Sequence, residues 1–291
     1  MTPFDTATLN RLEVQLNHRS SDFLDGGFRG LWGDDGFLPS GVREYQPGDR
    51  MVRIHRPATQ ATGRLHVWTA EPERAVSAVG VVDLGPSMYF GTALCSKIDI
   101  VRGAAFALGW LFSQSGNRFA SVQVGEPTTV QPFRGNRTVP YQLWSRLQGI
   151  RTPDGSDTQL AEGIAKAVQS YRKAEFAAVI SDFQSTGWEE ELIRLGRRRS
   201  LFCLQPQDPW ELALPDGLGE AVVADPRTGR QMRVDLNGRR GDNIRRRYAQ
   251  MASTRQDHIE QAVKKAGARH VILRTDEDWV AELLKALRKR R

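Results

Sequence analysis

Four side chains fall where they could hold an ion. Asp83 and Ser87 follow a short apolar run at residues 75–82, Asp182 follows another at 176–180, and Thr158 stands at the opening of a helical pattern. Hydroxyls and carboxylates delivered by three loops are hard oxygen ligands. They suit Mg²⁺, which takes few protein ligands and keeps several waters. The same residue types also cap helices, and Ser156 with Gln159 has the spacing of a capping box. Spacing alone leaves both readings open.

Other chemistries find less support. An aspartate after the first strand of an α/β sheet can serve as a phosphotransfer nucleophile. Such enzymes place a second carboxylate two residues on, where this chain has Gly85. The chain has no Gly-x-Ser-x-Gly elbow, no phosphate-binding glycine loop with lysine and no His-Glu-x-x-His helix. His18, His55, His66, His258 and His270 are scattered without ligand spacing, and Cys95 and Cys203 make neither a disulfide framework nor a zinc site. No catalytic residue is assigned, and the chain is read as a non-enzyme.

The elements that must position these residues follow from hydrophobic periodicity. Runs at 75–82, 119–124, 128–133, 176–180, 201–204 and 271–273 read as strands. Segments 98–112, 139–147, 158–171, 188–195, 244–266 and 278–287 carry helical spacing. Strands alternating with helices imply right-handed βαβ units and a doubly wound, mostly parallel α/β sheet. The strands are continuous apolar runs, as a sheet covered on both faces requires. Ligands of such sheets bind beyond the carboxyl ends of the strands, which is where the four candidates fall. Residues 1–70 form an N-terminal extension: a short amphipathic helix on Leu9, Leu12 and Leu16, then a glycine-rich irregular stretch at 26–41, then a half-buried strand at Leu65 and Val67. Residues 71–291 form the main domain, with an insertion around 208–240 holding a small hairpin, 221–223 against 232–234.

The 291 residues are 40% hydrophobic and 26% charged, ordinary globular usage. No run of about 18 apolar residues could span a membrane, and no signal peptide is visible, which makes the cytoplasm the expected location. The net charge of +7 gathers at 194–199, 239–247 and 285–291, on or beside helices. They are interspersed with Leu, Ile or Tyr in no arrangement that would stack bases, so solvated or partner-facing helix surfaces are expected, with nucleic-acid binding as the alternative.

Two sets of residues resemble known families. Asp83-Leu84-Gly85-Pro86-Ser87 resembles the Asp-x-Ser-x-Ser motif of the metal-ion-dependent adhesion site in von Willebrand factor A domains. Thr158 matches that family's second-loop threonine and Asp182 its distal aspartate. Arg43-Glu44-Tyr45-Gln46-Pro47-Gly48-Asp49-Arg50 with Arg53-Ile54 resembles the signature of the bacterial domain-of-unknown-function family numbered fifty-eight, Arg-x-Tyr-x-x-Gly-Asp-Asp followed by Arg-x-Ile-Asp-Trp. Residues 179–183, 208–215 and 225–229 also fit it.

The resemblance implies a von Willebrand factor A-like fold and a role as partner or adaptor of a MoxR-type AAA+ ATPase, with other proteins of the same operon as further partners. It also marks departures. Gly85 replaces a ligand serine, which weakens the Mg²⁺ site. Arg50, His55 and Arg56 make the signature loop basic where the family pattern is acidic or aromatic. With Arg43, Tyr45 and Asp49 they form a candidate partner-binding loop. The resulting expectation is a protein-binding adaptor with a partly degenerate adhesion site. A Mg²⁺-dependent phosphoester hydrolase and a basic nucleic-acid-binding module are the alternatives.

Overall fold

The computed structural model describes residues 10, 12–14, 16, 39–46, 54–70, 75–113, 116–150, 159–225 and 228–288. They fall into two compact units, one drawn from residues 21–75 and 287–291 and the other from 1–20 and 76–286.

In the smaller unit, strand β1 (Pro39–Glu44) pairs antiparallel with β2 (His66–Ala70), placing Arg43 opposite Val67. Helix α1 (Arg56–Thr62) lies between them in sequence. His55 caps it: the imidazole Nδ1 accepts the Ala58 N–H at 2.9 Å. The family pattern has aspartate here, a leading N-cap residue, and the ring nitrogen does the same work. The helix stops at Gly63, whose φ of 70° is the left-handed conformation that glycine adopts without strain.

The larger unit is the α/β domain. Its elements in chain order are β3 (Ser77–Asp83), α2 (Lys97–Leu111), β4 (Arg118–Val124), β5 (Thr129–Arg134), α3 (Val139–Gly149), α4 (Leu160–Ser170), β6 (Phe176–Ile180), α5 (Glu189–Gly196), β7 (Ser200–Gln207), α6 (Pro209–Leu212), β8 (Glu220–Ala224), β9 (Gln231–Asp235), α7 (Gly238–Lys265), β10 (Arg269–Arg274) and α8 (Trp279–Arg288). Six strands form one sheet in the order β10-β7-β6-β3-β4-β5. All neighbours are parallel except β5, which returns antiparallel beside β4 and closes that edge. This is the doubly wound, mostly parallel sheet that the alternating pattern requires. The hairpin in the insertion also forms, with β8 and β9 in register Ala221 to Val234.

Both faces of the sheet are covered. On one face Val79, Val81, Ala120, Val122, Ala177 and Val179 pack with buried residues of α4, α5 and α7, including Leu160, Ile164, Leu192 and Val263. On the other, Phe112 stacks among Phe119 and Phe176, and Phe176 touches Phe202, at ring separations of 6.4, 4.5 and 5.2 Å. Helix α2 belongs to this second layer. Every residue of it but Arg102 is buried, because α3 covers its outer side. Gly109 permits that approach: a Cβ there would already lie 3.4 Å from Pro140. A helix buried all round is uniformly apolar instead of amphipathic, and its one basic residue in the first turn, Lys97, therefore has to be satisfied from within.

Most boundaries shift by a residue or two from the sequence reading, and those of β7 and α7 shift further. β7 extends beyond 201–204 to Gln207, because Gln205 and Gln207 are buried against Gln256 at 3.1 and 3.2 Å. Helix α7 begins at Gly238, not 244; its glycine- and arginine-rich first turns carry no apolar period. β10 spans 269–274. The capping box expected at Ser156 and the glycine-rich stretch before residue 39 lie outside the described residues.

Candidate functional site: an ionic knot at the carboxyl edge

Strand order reverses at β3, with β4 on one side and β6 on the other, so the crevice beyond the carboxyl ends of β3 and β6 is the switch point where α/β sheets bind ligands. Asp83 ends β3 and is buried. Its Oδ1 accepts the Gly85 N–H at 2.9 Å and its Oδ2 accepts the Ser181 hydroxyl at 2.7 Å, fastening the ends of the two strands together. Burial first, and then the charge of Asp182, push the Asp83 carboxyl up from 3.8 to about 6, against the opposing pull of the two hydrogen bonds and of Lys97.

Asp182 follows β6 and faces the same crevice. Its Oδ1 accepts the Gln184 N–H at 3.2 Å, and its Oδ2 accepts the Lys97 ammonium at 2.7 Å. The next residue, Phe183, has a φ of 55°, a left-handed backbone that costs a non-glycine residue about 1 kcal/mol or more. The Phe183 N–H, bonded to the Ser181 hydroxyl at 3.0 Å, and its ring, 4.8 Å from Trp188, hold that turn in place.

Lys97 is the first residue of α2 and is wholly buried. Its ammonium donates to Asp182 and, at 2.6 Å, to Glu211 of α6. Burial pulls the lysine down, and the two carboxylates outweigh it and hold Lys97 above its ordinary value. A cation in the first turn of a helix opposes the helix dipole, so its presence there depends on these carboxylates. The helix start itself is fixed by a capping box between Ser96 and Asp99.

A further buried carboxylate ties the surrounding loops. Asp208, between β7 and α6, accepts the Thr92 N–H and hydroxyl at 2.8 and 2.5 Å, the Thr275 hydroxyl at 2.7 Å and the Trp210 N–H at 3.0 Å. Burial raises this acid, but these donors outweigh it and hold Asp208 below its usual value. The loop after β3, the end of β7 and the loop after β10 are thereby one fixed rim. Tyr248 of α7 joins it by donating to the Trp210 carbonyl at 2.9 Å.

Of the four residues singled out as ligands, Asp83 and Asp182 come together at the switch point. Ser87 lies in the 3-10 turn Pro86–Tyr89, half-buried. Thr158 lies outside the described residues. As they stand, the two carboxylates do not fit a divalent cation: all four oxygens accept protein donors, and an ammonium occupies Asp182. Among the described residues no group of three or more His, Cys, Asp or Glu side chains is arranged to hold a metal. In the signature loop, His55 and Arg56 begin α1, the Tyr45 N–H bonds to the Leu65 carbonyl, and the Arg43 side chain is exposed on β1. Asp49 and Arg50 lie outside the described residues.

Sequence reasoning passed over Lys97, Thr92 and Thr275, marked Ser181 only as the neighbour of Asp182 at its strand end, and treated Asp208 and Glu211 only as parts of a motif. One signal was available: Ser96-Lys97-Ile98-Asp99 has capping-box spacing, so a lysine falls at the start of an otherwise apolar helix.

Several known proteins are similar to this chain. The family model described as protein of unknown function DUF58 matches residues 41–258. The uncharacterized protein Rv1480 of Mycobacterium tuberculosis is 30% identical over 290 residues, covering 98% of this chain and 89% of that protein. Among solved structures, BatB from Bacteroides thetaiotaomicron is similar with a TM-score of 0.47 and 14% identity, covering 73% of this chain and 96% of that one. The SpRpn10 von Willebrand factor A domain is similar with a TM-score of 0.44 and 8% identity, covering 72% and 94%.

Proposed function

This chain belongs to the DUF58 family of proteins of unknown function, and on that premise we propose that it is a non-catalytic, cytoplasmic adaptor that binds a MoxR-type AAA+ ATPase through the carboxyl edge of its sheet. The observation that carries the reading is the surface of that edge. The loop after β3 exposes Tyr89, Phe90 and Leu94, the last at 71%, and α6 adds the partly exposed Trp210. These apolar groups sit on a rim that Asp208 holds rigid. Rigid aromatic and aliphatic anchors with a polar surround are what protein interfaces use as their energetic centre. The polar groups of this edge are engaged with one another in ion pairs and hydrogen bonds. The identity of the partner is drawn from the family resemblance.

The test is a paired substitution, Phe90→Ser with Leu94→Asp. Leu94 is exposed enough that its change costs about 0.5 kcal/mol, while Phe90, 39% exposed, gives up part of a packed ring at about 1–2 kcal/mol. Co-purification of the ATPase is expected to fall at least about tenfold, while the circular dichroism spectrum stays that of the wild type. Undiminished capture of the ATPase by the folded variant would overturn the proposal.

A further inference from the structure

The knot at the switch point brings two carboxylates, those of Asp182 and Glu211, onto one buried ammonium, whose charge also acts on a third, that of Asp83. The acids come from the end of β3, the loop after β6 and helix α6, and the ammonium from the first residue of α2. Lys97 has no accessible surface, and Asp182 and Glu211 approach it to 2.7 and 2.6 Å. The two acids are placed for this task by independent devices. The left-handed turn at Phe183 follows directly on Asp182. The Glu211 Oε2 accepts the Asp208 N–H at 3.1 Å in a capping box, which leaves Oε1 to the lysine. Gln184 also donates to Glu211 Oε1 at 2.7 Å, so that oxygen too is engaged within the chain. Buried acids converging on one point require a positive charge there, and a divalent ion is one way of supplying it.

We propose that Lys97 is the resident cation of this edge: its ammonium does from within the chain what a divalent metal would do, and the carboxyl edge assembles without one. Because the cation is covalently part of α2, the site is complete at any Mg²⁺ concentration. It also couples the helix start to the loops after β6 and β7, which a diffusible ion would do only when bound. The inference concerns the isolated protein and needs no partner for its test, so it can fail while the adaptor reading holds, and the reverse.

Titration of the full-length protein with Mn²⁺, followed by the electron paramagnetic resonance of the free ion, tests it. The wild type is expected to take up no Mn²⁺ that depends on Asp182, and its melting temperature is expected to be the same in EDTA and in millimolar Mg²⁺. Lys97→Ala, which uncovers the acids, is expected to bind about one equivalent at least about tenfold more tightly than the wild type, and to lose that binding when Asp182→Asn is added. Mn²⁺ uptake by the wild type that disappears in Asp182→Asn would overturn the proposal, as would a folded Lys97→Ala with no gain in affinity. Should Lys97→Ala not fold, the comparison of the wild type with Asp182→Asn still decides.

Discussion

A buried ammonium is costly unless its counter-charges are in place, and Lys97 shows how closely one side chain can be tied to the whole. Lys97→Met keeps the apolar stem and removes the charge, leaving Asp182 and Glu211 without their shared counter-charge. Breaking a buried pair in this way costs about 3–5 kcal/mol, and chemical denaturation of the variant against the wild type would measure it. Asp83 gives a separate, pH-dependent signature. Its carboxyl is raised from 3.8 to about 6 in the folded protein, by burial first and Asp182 second. Across that window the folded state holds a proton that the unfolded chain has released, so the contribution of Asp83 to stability is present at acid pH and lost as pH rises through about 6. Asp83→Asn removes this dependence. Relative to the variant, the wild type is expected to lose about 2–3 kcal/mol between about pH 4 and about pH 7. Parallel stability profiles for the two proteins would contradict the assignment.

At the scale of elements, close approach decides which helices can cover the sheet. Helix α4 lies on β4 so tightly that a Cβ at Gly163 would fall 2.2 Å from Val124 Cγ2. Gly163→Ala, elsewhere a helix-favouring change, is therefore expected to destabilise the protein by about 1–3 kcal/mol, seen as a lower denaturation midpoint with an unchanged slope. Elements with an apolar period were legible in sequence nearly to their ends: β6 falls on the expected residues 176–180, and α2 is displaced by one residue from 98–112. Elements held by polar contacts were not. The end of β7 depends on amide-to-amide bonds from Gln205 and Gln207 to Gln256. The first turns of α7 depend on Arg245, which reaches the carbonyls of Leu236, Leu218 and Pro215. Apart from the nine-residue step to Leu236, those bonds join residues 27 to 51 positions apart and leave no local pattern.

For the molecule as a whole, the net charge of +7 bears on encounter more than on affinity. A basic surface steers an acidic partner and is screened by salt. Raising ionic strength is therefore expected to lower the association rate for the proposed ATPase partner while leaving its dissociation rate nearly constant, as surface plasmon resonance would show. A dissociation rate that carried the whole salt dependence would point instead to buried ion pairs at the contact. No helix among the described residues is long and apolar enough to cross a membrane.

The sequence by itself determined the layer architecture, because alternating apolar runs of strand and helix period have few ways to bury their faces, and a doubly wound sheet is the one that suits continuous apolar strands. It also placed Asp83 and Asp182 each at the carboxyl end of a strand, while the adjacency of those two strands came from the fold. What holds them there was decided by tertiary structure alone. Lys97 lies 85 positions from Asp182 and 114 from Glu211, and Asp208 lies 116 from Thr92. Pairings across such distances arise from chain crossover and close packing, which bring side chains together in space without marking them in sequence. The residue types at the edge therefore suggested a metal ion, and the packing supplied a lysine.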